Sequence, residues 1–278
     1  MSAGDGGLIA KQRGEARSRI EAPWLFVVAL GLLVAFLLAP WSMAHKAHAI
    51  LHGLCAQRPS HSLTLGGQPL PFDARMTGIY GGFAVTFIYL LARGRFRAFR
   101  YPSPGVAIAL GLFVAALAID GANALLVDLG RTPLYAPDNR IRLATGLLTG
   151  ISLAVALCYM TATTLWRRGD WSMRTVSGVG ELGLLMLLQL PFAFVVTSGA
   201  GWLSGPVAVA LVAAAAGTVG TIALASFILA TGRDRTYDRF AELQLPAALA
   251  LLAGVVFMAA IAGGRFWMEQ TMGLQTLP

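Results

Sequence analysis

The sequence predicts an all-α fold: a polytopic transmembrane helix bundle of about seven spans, with a cytoplasmic N-terminus and an extracytoplasmic C-terminus. Three observations carry that expectation. Apolar residues make up 56% of the 278-residue chain and charged ones only 12%, far from the balance of a soluble domain. The charges stand in short clusters between long apolar runs, whereas a soluble protein spreads them over amphipathic helix faces. Arginines recur between alternate runs, as positive-inside topology requires. The net charge of +8 is therefore a topology signal. No basic-aromatic module or phosphate-cradling glycine loop points to nucleic acid, and the expected partner is the lipid bilayer of the cell membrane, a bacterial inner membrane.

Seven runs are long enough to cross roughly 30 Å of hydrocarbon as helices. They lie at Pro23–Ala44, Met76–Ala92, Val106–Leu126, Ile141–Leu165, Val176–Thr197, Leu203–Ala230 and Leu245–Ala262. Residues 1–22 form a basic cytoplasmic tail, 23–265 a single transmembrane domain with an extracytoplasmic His/Cys-containing loop at 45–75, and 266–278 a short C-terminal tail. Lys11, Arg13, Arg17 and Arg19 in the tail fall on one side with Arg93, Arg95, Arg97 and Arg100, with Arg167, Arg168 and Arg174, and with Arg233, Arg235 and Arg239. Trp24, Trp41, Trp166 and Trp267 stand near span ends, as interfacial anchors do.

The basic tail, the first apolar run and Ala47–Ala49 also fit a cleaved signal peptide. The run exceeds the usual signal core and tryptophan flanks both its ends, which favours a retained span. "GIYGG" in the second span and "GLLTG" in the fourth put glycines four apart, a spacing that lets helix backbones approach closely. No internal repeat supports a transporter of inverted halves. Two cysteines build no disulfide framework, and Cys158, inside an apolar run, is expected to be a small buried hydrophobe.

Every histidine of the chain lies in "HKAHAILHGLCAQRPSH", residues 45–61. His45, His48, His52 and Cys55 follow offsets of three, four and three, so a first span prolonged past the lipid boundary aligns them in one stripe. His48 and His52 are one turn apart, as chelation from one helix requires. Imidazole and thiolate suit zinc or copper, and His61 and Asp73 extend the candidate ligand set. The alternatives are proton handling and structural anchoring. Four residues of one stripe are too long for a single tetrahedral ion, so some serve another purpose or the helix breaks near Gly53.

Ionisable groups inside apolar spans mark cavities or partners. Asp120 and Asn123 share a face of the third span, and Glu181 and Gln189 a face of the fifth, where Glu181 also lies near enough to the cytoplasmic end to reach solvent. Asp73, Arg75, Asn139 and Arg142 flank spans on the histidine side. Asp120, Arg75 and Arg142 are the catalytic candidates, and an Asp120–Arg75 or Asp120–Arg142 ion pair that only locks helices together is the structural alternative.

"LCAQRPSHSLTLGGQPLPFDARMTGIYGGF", "IDGANALL" and "NRIRLATGLLTG" resemble the signature of Domain of Unknown Function 2085, a family of predicted membrane proteins. The resemblance covers roughly Leu54 to Gly150. Cys55, Gln57, Pro59, Ser62, Ala74, Arg75, Thr77, Gly78, Ile79 and Tyr80 fit its pattern, as do Asp120, Gly121, Asn139, Arg142, Thr145 and Gly146. In its usual form the family has a histidine after the first cysteine, two cysteines around Ala-Arg and a glutamine after Asp-Gly. This chain has Ala56, Asp73, Met76 and Ala124 there. The three cysteines and histidine resemble a zinc or redox site, so the resemblance implies a site either lost here or rebuilt from harder ligands, Asp73 and the upstream histidines among them.

Four functions follow as expectations. The first is an extracytoplasmic metal site serving metal handling or assembly of a membrane complex, with a partner subunit. The second is a metal-dependent hydrolase of a lipid or lipid-linked substrate, with Arg75 or Arg142 gripping an anionic group. The third is a transporter whose path Asp120, Asn123, Glu181 and Gln189 line. The fourth is a structural subunit without a site.

Overall fold

The computed structural model describes residues 22–273. The predicted basic tail, with Lys11, Arg13, Arg17 and Arg19, lies outside the described residues, as do residues 274–278. Nine α-helices run through the described part: α1 (Trp24–Leu38), α2 (Met43–Leu51), α3 (Ala74–Ala92), α4 (Pro104–Asp128), α5 (Asn139–Leu165), α6 (Val179–Leu187), α7 (Gln189–Thr197), α8 (Ser204–Ala230) and α9 (Phe240–Thr271). Two small sheets join them. β1 (Ser62–Leu65) and β2 (Gln68–Asp73) form an antiparallel hairpin, and β3 (Ala98–Arg100) pairs in parallel with β4 (Asp170–Arg174). The fold is thus mostly helical rather than purely so.

Local chemistry sets the helix ends. Asp73 caps α3 by accepting from the Met76 N–H at 2.8 Å, and Asp138 caps α5 by accepting from the Arg140 N–H at 2.6 Å, each satisfying a donor that the first turn leaves open. Ser103 and Pro104 start α4, proline being suited to the first helical position. Gly94, Gly130 and Gly232 follow α3, α4 and α8 in the left-handed region, the usual helix stop. The expected fifth span is broken between α6 and α7 at Leu188. Pro191 clashes with the carbonyl four residues before it, which accounts for the break.

Among the described residues, six segments are long and apolar enough to cross a membrane: Ala74–Ala92, Pro104–Asp128, Asn139–Leu165, Val179–Thr197, Gly201–Ala230 and Phe240–Thr271. The expected first span, Pro23–Ala44, does not run through. Pro40 ends α1 after 15 residues, about 22 Å at 1.5 Å per residue. Ser42 then caps a separate helix, α2, by accepting from the His45 N–H. At the other end α9 continues through Thr271, so the predicted tail at 266–278 is helical over 266–271 and turns at 272–273.

The connections gather at two ends. At the arginine end, β3–β4 ties residues 98–100 to 170–174, and Trp166 bridges to Tyr237. At the histidine end, the Gly66 N–H donates to Gly199 at 3.0 Å, and Asn139 donates to the Ser60 carbonyl at 3.2 Å. Trp24, Trp41 and Trp267 are exposed as anchors should be, but Trp166 is fully buried. Its indole N–H donates to the Phe96 carbonyl at 2.7 Å, and the Arg97 guanidinium lies 4.3 Å over its ring, so it belongs to the core of the arginine end.

The two glycine motifs meet. A Cβ added at Gly78 would lie 2.5 Å from the Leu143 carbonyl oxygen, at Gly82 2.6 Å from that of Leu147, and at Gly150 2.5 Å from that of Ile79. Helices α3 and α5 therefore touch along their backbones, as small residues four apart permit. Cys158 is buried in an apolar cluster with Val155, Ile151 and Leu90, as expected.

Candidate site at the histidine end

The stripe is cut short near Gly53, one of the two outcomes that its length allows. Helix α2 ends at Leu51, and Gly53 lies so close to α9 that a Cβ there would meet the Ala262 backbone nitrogen at 2.6 Å. His45 is exposed, His48 and His61 are half-buried, and His52 is buried. Among the described residues no three His, Cys, Asp or Glu side chains come together as a metal site requires. His45, His48, His52, Cys55, His61 and Asp73 are thus spread over α2, the loop after it and the hairpin, and do not fit zinc or copper as one ligand set.

His52 sits at the centre of a closed polar knot. Its Nδ1 lies 3.0 Å from the Gln57 side-chain oxygen and its Nε2 2.8 Å from a Glu269 carboxylate oxygen. The Gln57 amide nitrogen is committed to the carbonyls of His48, at 3.1 Å, and Pro71, at 2.8 Å. Both imidazole nitrogens therefore face oxygen acceptors, and neither directs a lone pair to open space. Phe266 stacks on the ring at 4.1 Å. Arg265 donates to Glu269 at 2.7 Å, to the His52 carbonyl at 2.7 Å and to the Cys55 carbonyl. The end of α9 thus completes this site. Arg265 and Glu269, one turn apart beyond the last predicted span, were the sequence signal for it.

Cys55 accepts from the Gln57 and Asp73 N–H groups at 3.3 and 3.5 Å. Burial, reinforced by the Asp73 charge, pushes its thiol up to about 11, so the neutral thiol prevails at physiological pH. Position 73, where the resembled family has a cysteine, does lie beside Cys55. Asp73 itself is occupied as the α3 cap. Burial holds the His48 imidazole below its ordinary value, against the Pro69 carbonyl, which works the other way. Burial and the Arg142 charge do the same to His61.

The catalytic candidates are also tied. Arg75 donates to Asp120 from Nε at 3.0 Å and from Nη2 at 2.5 Å, and the Tyr135 hydroxyl donates to the other Asp120 oxygen at 2.8 Å. The expected lock is therefore Arg75–Asp120. Arg142, 5% exposed, instead donates to Asn139 at 2.7 Å. Asn123 accepts from the Leu134 and Tyr135 N–H groups and donates to the Tyr135 carbonyl, clamping the loop after α4. At the arginine end Glu181 accepts from Arg95, Tyr89 and the Ser177 N–H. Gln189 is buried, donates to Thr86, and leaves its oxygen unpartnered. The four intramembrane polar residues do not gather on one path.

An open space lies elsewhere. A crevice of about 690 Å³ runs between α1 and α8, with α9 as its floor and α2 across its histidine end. Its walls are apolar: Leu32 and Phe36 from α1, Val212 and Ala216 from α8, Val255 and Met258 from α9. Lys46 and His45 are its titratable lining groups. That volume is within the roughly 300–1,000 Å³ range of small-molecule sites.

The family of predicted membrane proteins known as DUF2085 matches residues 55–156, which bears out the resemblance over that stretch. No curated protein and no solved structure matches the chain. The chain is an integral membrane protein with several spans.

Proposed function

We propose that this membrane protein holds a membrane lipid, or the lipid part of a lipid-linked molecule, in the crevice between α1 and α8, outside the stretch that the family matches. The crevice carries the reading: it is large, almost wholly apolar, and walled by the membrane-crossing helices α8 and α9 together with the shorter apolar helix α1. Positive-inside logic assigns the arginine end to the cytoplasm of a cell-membrane protein, so the crevice head belongs to the outer leaflet.

The reading is one of binding. Hydrolysis would need a base or nucleophile at the crevice, whose titratable groups are Lys46 and His45. Metal handling would need the dispersed histidine-end ligands to rearrange. Transport would need Asp120 and Glu181 on one path, and they serve locks at opposite ends. Crosslinking with a photoactivatable phospholipid in nanodiscs tests the proposal. Labelled peptides from α1 and α8 around Phe36 and Ala216, with labelling reduced by Ala216→Trp, are the expected result. Labelling equal to that of the exposed face of α4 around Ile108 and Leu112 overturns it.

A further inference from the structure

Lys46 is 5% exposed. Its ammonium donates to the Leu37 and Ala39 carbonyls at 3.0 and 3.1 Å and lies 5.3 Å over the Phe36 ring. Those carbonyls end α1, and their partial negative charge accounts for part of the burial. They occupy two of three N–H donors, and among the described residues no carboxylate pairs with Lys46. A buried cation without a counter-charge is costly. This one lines the head of an apolar crevice whose other polar group, His45, is exposed.

Resting on the lipid reading above, we infer that the crevice selects a lipid with an anionic phosphate headgroup. Lys46 takes a phosphate oxygen with its remaining N–H, His45 stands at the mouth, and a chain lies along Phe36, Ala216 and Val255. Charge complementarity at the head and apolar walls below fit one amphiphile, where a free anion would leave the walls empty.

The test is equilibrium binding of fluorescent phosphatidylglycerol and diacylglycerol with identical chains to the delipidated full-length protein in neutral detergent. Wild type is expected to favour phosphatidylglycerol. Lys46→Met should abolish that preference by weakening phosphatidylglycerol roughly tenfold, the scale of one charge-assisted hydrogen bond, while diacylglycerol, which has no phosphate, is unchanged. Lys46→Arg should keep the preference. Equal affinity of wild type for both lipids overturns the inference without any variant, and so does a preference that survives in Lys46→Met, which would leave Lys46 as a cap of α1. Displacement of the lipid by inorganic phosphate alone makes this a free-anion site and also overturns it, as does a dimer crosslinked through α1 in place of bound lipid. Loss of both lipids in Ala216→Trp is expected. Binding of both unchanged in that variant sinks the crevice reading itself, a different outcome from failure of the headgroup preference.

Discussion

The α3–α5 seam and the α1–α8 crevice use similar small residues with opposite results. Along the seam, Gly78, Gly82, Gly146 and Gly150 bring two backbones into contact. Across the crevice, Ala29, Ala35, Ala213, Ala216 and Gly217 face a gap, and a Cβ at Gly217 would meet nothing within 4 Å. The connections decide which pair closes. Both seam helices begin at the histidine end under acidic caps, where Arg75 ties the start of α3 to Asp120 of α4 and Asn139 ties the start of α5 to the segment before β1. Helix α1, with no buried residue, leans on α9, while α2 packs on α8 and takes the place where α1 would arrive. Small side chains permit close approach, and the loops decide whether it happens.

Substitutions at the two places should separate them. Gly146→Leu puts a side chain where even a Cβ would lie 3.0 Å from the Gly78 Cα. Overpacking against backbone should exceed the usual cost of about 1–3 kcal/mol, so the monodisperse fraction in detergent should collapse, while Gly217→Leu should leave it intact. Next in size, Asp120→Ala leaves Arg75 without its partner at the head of the seam. Breaking a buried pair costs roughly 3–5 kcal/mol, towards the lower end here because the Arg75 side chain is 22% exposed. A denaturant titration in micelles reads that loss.

Thiol chemistry gives a further contrast. With Cys55 pushed up to about 11, alkylation at neutral pH should run roughly a hundredfold slower than in denatured protein, whose thiol lies near 8.5. A Trp41→Cys thiol at the exposed crevice mouth should react at the ordinary rate. His48 supplies the pH dependence. Its folded value lies below the ordinary 6.5, so the neutral form is favoured in the fold. Stability should hold above about pH 6.5 and decline as pH falls below it, and His48→Gln should flatten that decline in a series of melting curves. The smallest effect is expected for Gly217→Ala, a gain of up to about 1 kcal/mol from helix propensity with no clash.

Spans two to seven and the glycine seam were legible because hydrophobic length and small-residue spacing act locally. The Arg75–Asp120 lock was legible too, as one of two pairings. Pro40, Trp41 and Ser42 interrupt the first run and restart it as α2, and the histidine stripe stops short because α2 ends at Leu51, before Cys55. Arg265 and Glu269 marked a polar end of the last helix, but their pairing with His52 was not legible, because Glu269 reaches it from 217 residues away and contact across that distance is set by packing. Lys46 lies inside the histidine segment, where neighbouring residues give no sign of its burial. Only its burial beside an apolar crevice gives it meaning.

The parallel pairing of β3 with β4 carries a consequence for biogenesis. Ala98 pairs with Asp170 and Arg100 with Arg174, and between these strands the chain runs out along α4 and back along α5. Parallel strands always require such a crossover, and here it passes through the membrane-crossing helices. The pair therefore closes only after both helices have been inserted the right way round. A ribosome still threading α5 has nothing for β3 to join, and a chain with either helix inverted never brings the strands together. This short ribbon closes only where the two helices cross in opposite senses and return the chain to the side it left.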